Sequence, residues 1–176
     1  MVRNGIETSG VGEGDNRQIG GGPSKSVGEA ANVKPAIVPT MNLEYRTKIP
    51  PAGEFWDLFL TTGWNDEYRF TPGRLAEAIK ESWYAVSVYE GDRLVGFGRV
   101  VSDGVLHAMI YDLIVDPEFQ HRGIGSEILR LLIDRCRDAR IPDIQLFCAR
   151  GKKAFYERHG FAVRPDDAPG MQCISL

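Results

Sequence analysis

The stretch richest in chemical possibility is Tyr111-Asp112-Leu113-Ile114-Val115-Asp116-Pro117-Glu118-Phe119-Gln120-His121-Arg122-Gly123-Ile124-Gly125-Ser126. An apolar run ends at Val115, Asp116-Pro117 signals a turn, and two glycines open a segment with helical apolar spacing. A strand, a loop and a helix in that order make an anion site. The first N–H groups of a helix have no partner within it, and the helix dipole adds partial positive charge at the same end. Gly123 and Gly125 let the backbone approach a diphosphate without a Cβ in the way, and Arg122 adds a cation. Two phosphate motifs are not supported: no Gly-Lys-Ser/Thr is present, and Ile128 stands where the dinucleotide fingerprint needs its third glycine.

Other reactive residue types are sparse. The three cysteines, Cys136, Cys148 and Cys173, are odd in number and lack C-x-x-C spacing, so neither a disulfide framework nor a metal site is expected. They read as reduced, buried thiols, with Cys148 inert in an apolar strand. A net charge of -3 argues against a general affinity for nucleic acid. No apolar stretch is long enough to span a membrane and no secretory signal opens the chain, so a cytoplasmic location is expected.

The elements that must position the loop follow from pattern. Residues 1–40 are rich in Gly, Ser and Asn and hold no Phe, Trp or Tyr; they read as a disordered tail ahead of a single domain over 41–176. Leu43 to Ile49 suits a strand, and Phe55 to Leu60 an amphipathic helix. Thr71-Pro72 caps a second helix carrying Leu75, Ala78 and Ile79. Trp83 to Tyr89 and Leu94 to Ser102 form a hairpin, extended to a meander by Val105 to Val115. A long helix runs from the glycines to about Arg137, Ile144 to Phe147 is a strand, and Lys152 to His159 is a helix closed by Gly160. Phe161 to Val163 and Met171 to Ser175 supply two final strands. The sum is a mixed α/β (α+β) domain, a mostly antiparallel sheet of about six to seven strands with helices on both faces.

The segment Gln120-His121-Arg122-Gly123-Ile124-Gly125 resembles the Gln/Arg-x-x-Gly-x-Gly/Ala signature of the GNAT superfamily of N-acetyltransferases, and Val115-Asp116-Pro117 before it matches as well. Ala154-Phe155-Tyr156-Glu157-Arg158-His159-Gly160-Phe161 is similar to the closing motif of that superfamily, a tyrosine followed four residues later by Gly-Phe. The likeness covers about Leu43 to Leu176. Within the superfamily the chain looks most like plant-type serotonin (arylalkylamine) N-acetyltransferases and their bacterial homologues. That narrower likeness rests on residues 111–117, on Ile144-Gln145-Leu146-Phe147, and on Phe155-Tyr156 with Gly160-Phe161, Pro165 and Gly170-Met171.

The resemblance implies acetyl-CoA as co-substrate and a sheet splayed where it binds. The backbone of Leu113, Ile114 and Val115 would pair with the pantetheine arm, and the loop formed by Gln120, His121, Arg122, Gly123, Ile124, Gly125 and Ser126 would hold the pyrophosphate. Tyr156 would protonate the departing sulfur. The general base stays open between Asp112, on the strand beside the thioester, and His107. Many relatives carry Asn where this chain has Ala149, so Arg150 or Lys152 would have to supply that contact. Trp64, Tyr68 and Phe70 from one loop, with Tyr84, are candidates for an acceptor pocket. A small primary amine with an aromatic or apolar body is the expected acceptor. The alternatives are a protein N-terminus or lysine, and a non-catalytic acyl-CoA-binding module. Homodimerisation is left open.

Overall fold

The structure, a computed structural model, describes residues 42–173. The expected tail at residues 1–40 lies outside them. In chain order the elements are β1 (Leu43–Arg46), α1 (Ala52–Leu60), the single turn α2 (Asn65–Tyr68), α3 (Pro72–Lys80), β2 (Tyr84–Glu90), β3 (Arg93–Ser102) and β4 (His107–Val115). A 3-10 turn at Pro117–Phe119 leads to α4 (Ile124–Asp138), β5 (Asp143–Leu146) and α5 (Lys153–Glu157). The sheet runs β1-β2-β3-β4-β5, antiparallel up to β4 and parallel between β4 and β5. These elements belong to one compact unit that ends at Val163, and the chain from Arg164 onward belongs to a second. In that second unit Arg164 donates to the Ala168 carbonyl across a turn. No described helix is long and apolar enough to cross a membrane.

Local chemistry sets the boundaries. Thr71 caps α3 by accepting from the Arg74 N–H at 3.4 Å, with Pro72 in the first turn. β4 starts at His107 and not at Val105, because Asp103 Oδ1 accepts the N–H groups of Val105, Leu106 and His107 at 2.8, 2.8 and 3.1 Å. Those bonds hold the Asp103 carboxyl below its ordinary range.

The strand number needs correction: the described residues form five strands, not six to seven. The Phe161 N–H donates to the Tyr156 carbonyl at 3.2 Å, closing α5 around Gly160, whose φ is 87°. That N–H is spent on a helix cap, and Pro165 has none to offer a ladder. Residues 171–173 are not in a strand, and residues 174–176 lie outside the described part.

Helices cover both faces of the sheet. α1 and α3 bring Phe55, Leu58, Phe59, Leu75 and Ile79 against Phe97 and Ile114, whereas α4 lays Ile124, Ile128, Leu129 and Leu132 on Val86, Val88 and Val100. Over β3 the helix approaches so closely that a Cβ at Gly98 would stand 2.6 Å from Ile128 Cγ2. Gly98→Ala should therefore cost about 1–3 kcal/mol and lower the melting temperature by several degrees. A thermal melt superimposable on wild type would show that Ile128 yields freely.

Candidate active site

β4 carries the site because its two edges are treated differently. β5 pairs with it only from His107 to Ile110, whereas β3 follows it to Val115. Among the described residues, no strand lies beside that edge of β4 from Tyr111 onward. At the same place the β3 register slips: Arg99 faces Tyr111 and Phe97 faces Ile114, so Asp112 and Leu113 share Gly98. This is a β-bulge, and Asp112 holds the left-handed conformation at φ 51° that such bulges use. Aspartate accepts that conformation better than most side chains. The bulge bends β4 where β5 stops, and the backbone of Leu113, Ile114 and Val115 follows it beside the opening. Gln120 Nε2 donates to the Val115 carbonyl at 3.1 Å, tying loop to strand.

The loop rests on a buried carboxylate. Asp116 is 4% exposed; its Oδ1 accepts the Glu118 N–H at 3.0 Å and its Oδ2 accepts Arg93 Nη2 at 2.7 Å. Arg93 and Arg122 lie over the buried Phe119 ring, 5.3 and 5.4 Å from its centroid. His121 and Gly123 both take positive φ, 62° and 82°, which turns the chain into α4. The first bond within α4 runs from the Glu127 N–H to the Gly123 carbonyl at 3.0 Å. The N–H groups before it point out of the helix end.

The two glycines have different explanations. Gly123 is required by its backbone conformation. Gly125 is not: its φ is ordinary, and a Cβ there would meet Val115 Cγ2 at 3.5 Å and Phe155 Cζ at 3.8 Å, normal contact distances. Those neighbours also show that the end of β4, the first turn of α4 and α5 converge at Gly125.

Tyr156 follows Phe155 on α5 and packs edge-on against Phe155 and Phe161, at 5.1 and 6.1 Å between centroids. Burial pushes the phenol above its ordinary pKa, with Cys148 adding to the effect. Among the described residues the hydroxyl makes no hydrogen bond, and it is not sealed from solvent. Cys148 itself corrects an expectation. β5 ends at Leu146, and Cys148 is exposed beyond it rather than buried within a strand; Cys173 is exposed too, and only Cys136 is buried. The apolar run of β5 simply outlasts its pairing with β4.

The other candidates separate. Asp112 is at the bulge, its Oδ2 accepting Arg99 Nε at 2.5 Å. His107 is at the opposite end of β4, paired through Nδ1 with Asp143 at 2.9 Å and lining a cleft with Val101, Met109 and Gln145. Five residues of strand, about 17 Å, separate it from Asp112. Trp64 packs edge-on against Phe59 at 5.9 Å. Tyr68 and Phe70 stack on one another at 5.6 Å on an exposed loop, closed by Asn65 bonding the Phe70 backbone. Tyr84 is not brought to the loop. It lies near Arg135, whose guanidinium is 5.9 Å from its ring, and Arg135 is about 16 Å along α4 from Ile124. Ala149 accepts the Lys152 N–H at 3.0 Å in the turn before α5.

Sequence reading missed three supports: the Arg99–Asp112 pair, the Arg93–Asp116 pair and Gly98. The two arginines carry no local signal, since their partners lie 13 and 23 residues away. A glycine inside a strand is a readable sign of close approach, and Gly96 and Gly98 display it.

The sequence profile of the Acetyltransferase (GNAT) family matches residues 51–161. An uncharacterized N-acetyltransferase, ycf52, of Pyropia yezoensis is 36% identical over 98 residues, which are 53% of this chain and 56% of that protein. The histone acetyltransferase TAP1 of Glycine max is 32% identical over 109 residues, 56% of this chain and 47% of that one. The chain thus spans about half the length of the curated relatives it matches. Among solved structures, a GNAT-family acetyltransferase of Streptococcus pneumoniae superposes with a TM-score of 0.65 at 27% identity, over 76% of this chain and 98% of that one. The splayed strand, the glycine loop and the profile agree that this chain belongs to the GNAT family of acetyltransferases.

Proposed function

We propose that this chain transfers the acetyl group of acetyl-CoA to a primary amine by direct attack, with a small aromatic or apolar alkylamine as acceptor. The observation that carries the reading is the convergence at Gly125 of the β4 end, the first turn of α4 and the α5 segment bearing Tyr156. A diphosphate at the helix N-terminus would place the pantetheine arm along the opening beside Leu113, Ile114 and Val115. The neutral amine nitrogen then bonds to the thioester carbonyl carbon. The carbon–sulfur bond breaks, and the sulfur leaves with the proton of the Tyr156 hydroxyl. Burial keeps that phenol protonated through the neutral range, so the acid is in place. The amine's own proton passes to Asp112, directly or through water.

A non-catalytic acyl-CoA-binding module would have no use for a phenol whose hydroxyl the fold leaves uncommitted. The aromatic acceptor rests on Trp64, Tyr68 and Phe70, whose loop follows α1 on the face opposite α4. A second reading, a protein N-terminus or lysine as acceptor, draws on the soybean relative named as a histone acetyltransferase and on the exposure of Tyr68 and Phe70. One assay separates them: CoA release with tryptamine, serotonin and phenethylamine against spermidine, free lysine and a mixed peptide library at equal concentration. Arylalkylamines are expected to give the highest kcat/KM. Clearly higher values for polyamines or peptides would overturn the acceptor assignment and leave acetyl transfer standing.

A further inference from the structure

Arg99 is a charged residue at the splay that the proposed chemistry does not use, and it bonds to the carboxylate at the bulge. Its side chain is only 15% exposed, and that of its partner Asp112 21%. From the middle of β3 it reaches two separate elements. Nε donates to Asp112 Oδ2 at 2.5 Å, and Nη1 donates to the Ala78 carbonyl at 3.0 Å. Ala78 lies in the last turn of α3, where carbonyls lack helical partners and the dipole favours a cation. The guanidinium also sits 5.5 Å from the Tyr111 ring, on the residue just before the bulge. Three features therefore meet on one planar group: the end of α3, the residue entering the bulge and the carboxylate at its strained position.

We infer that Arg99 is a positioning residue for acetyl transfer, clamping the Asp112 carboxylate at the β4 bulge and referencing it to α3. The inference rests on the proposed function. A carboxylate on a left-handed strand residue has no local partner to fix its χ angles, and Arg99 supplies a directed one on a single oxygen. The second oxygen of Asp112 is left to meet the acceptor amine. The fork geometry is the essential property, because two acceptors at different directions are held by two nitrogens of one rigid plane. A lysine ammonium carries the same charge without that plane.

The test is a double-mutant cycle on the full chain with Arg99→Lys, Asp112→Asn and the pair, following CoA release, acetyl-CoA affinity by calorimetry and thermal melting. Arg99→Lys is expected to melt with wild type and to bind acetyl-CoA within about threefold, while kcat falls by at least about fivefold and KM for the amine rises. In the Asp112→Asn background the same change should cost less than about twofold, because the carboxylate it positions is gone. Full turnover in Arg99→Lys would overturn the clamp, as would additive losses or a parallel loss of acetyl-CoA affinity. A wild-type chain that releases no CoA with any amine would instead overturn the proposed function, and this inference with it.

Discussion

Replacing Gly125 with valine is expected to weaken acetyl-CoA binding by at least about tenfold, a loss of roughly 1.4 kcal/mol, with the domain still folded. Gly125 is the informative position because the protein alone does not require glycine there. A side chain at Gly123 would be strained by its φ of 82° whatever the ligand, so a Gly123 variant would mix backbone strain with lost binding. At Gly125 the neighbouring Val115 and Phe155 atoms stand at ordinary contact distance from an added Cβ. Valine has a slightly better helix propensity than the glycine it replaces, so the first turn of α4 loses nothing by the exchange. What its methyl groups would obstruct is the approach of a diphosphate to the helix N-terminus. Gly125→Ala provides a graded control, with a smaller loss in the same direction. Calorimetry with acetyl-CoA and a thermal melt of each variant decide the matter. Unchanged affinity in Gly125→Val would remove the loop from the proposed binding site.

The parts of this site that are legible in sequence are those built from neighbours along the chain. The Asp116-Pro117 turn, the paired glycines and the Ile124, Ile128 and Leu132 spacing all fall in one segment, and the structure returns them as turn, loop and α4. The bulge is different. An aspartate within an apolar run looks like any polar strand residue, and its left-handed conformation follows from a register slip against β3 that local pattern does not encode. Arg99 is invisible for the same reason, since its partners belong to β4 and α3. Tyr84 is ambiguous in sequence, because an aromatic at a strand start suits a pocket and a core equally well; its neighbour Arg135, on α4, is 51 residues away along the chain. That residues 161–163 form no strand is partly readable, because Gly160 and Pro165 both mark a chain that caps and turns. The apolar character of Phe161 to Val163 outweighed those signals, although Phe161 is used against Tyr156 and Val163 is exposed.

Tyr156→Phe is expected to lower kcat by about tenfold or more while acetyl-CoA affinity stays within about threefold of wild type. The ring is the structural part of this residue. It packs against Phe155 and Phe161, and phenylalanine preserves those contacts. The hydroxyl donates to no other described residue, so its removal leaves no buried partner unsatisfied and the melting temperature should barely move. The function of the hydroxyl would arise only as charge gathers on the departing sulfur, which is why the defect belongs in turnover and not in binding. The pH dependence follows with the same sign. Burial raises the phenol above its ordinary range, so the protonated acid persists through mildly alkaline pH. Wild-type turnover should therefore show no alkaline decline below pH about 10 attributable to this group, and the variant should be slower at every pH where the wild type holds its proton. Pre-steady-state measurement must place acetyl transfer, rather than CoA release, as the slow step. With that established, near-normal kcat in Tyr156→Phe would reduce Tyr156 to a packing residue and leave the sulfur to take its proton from water.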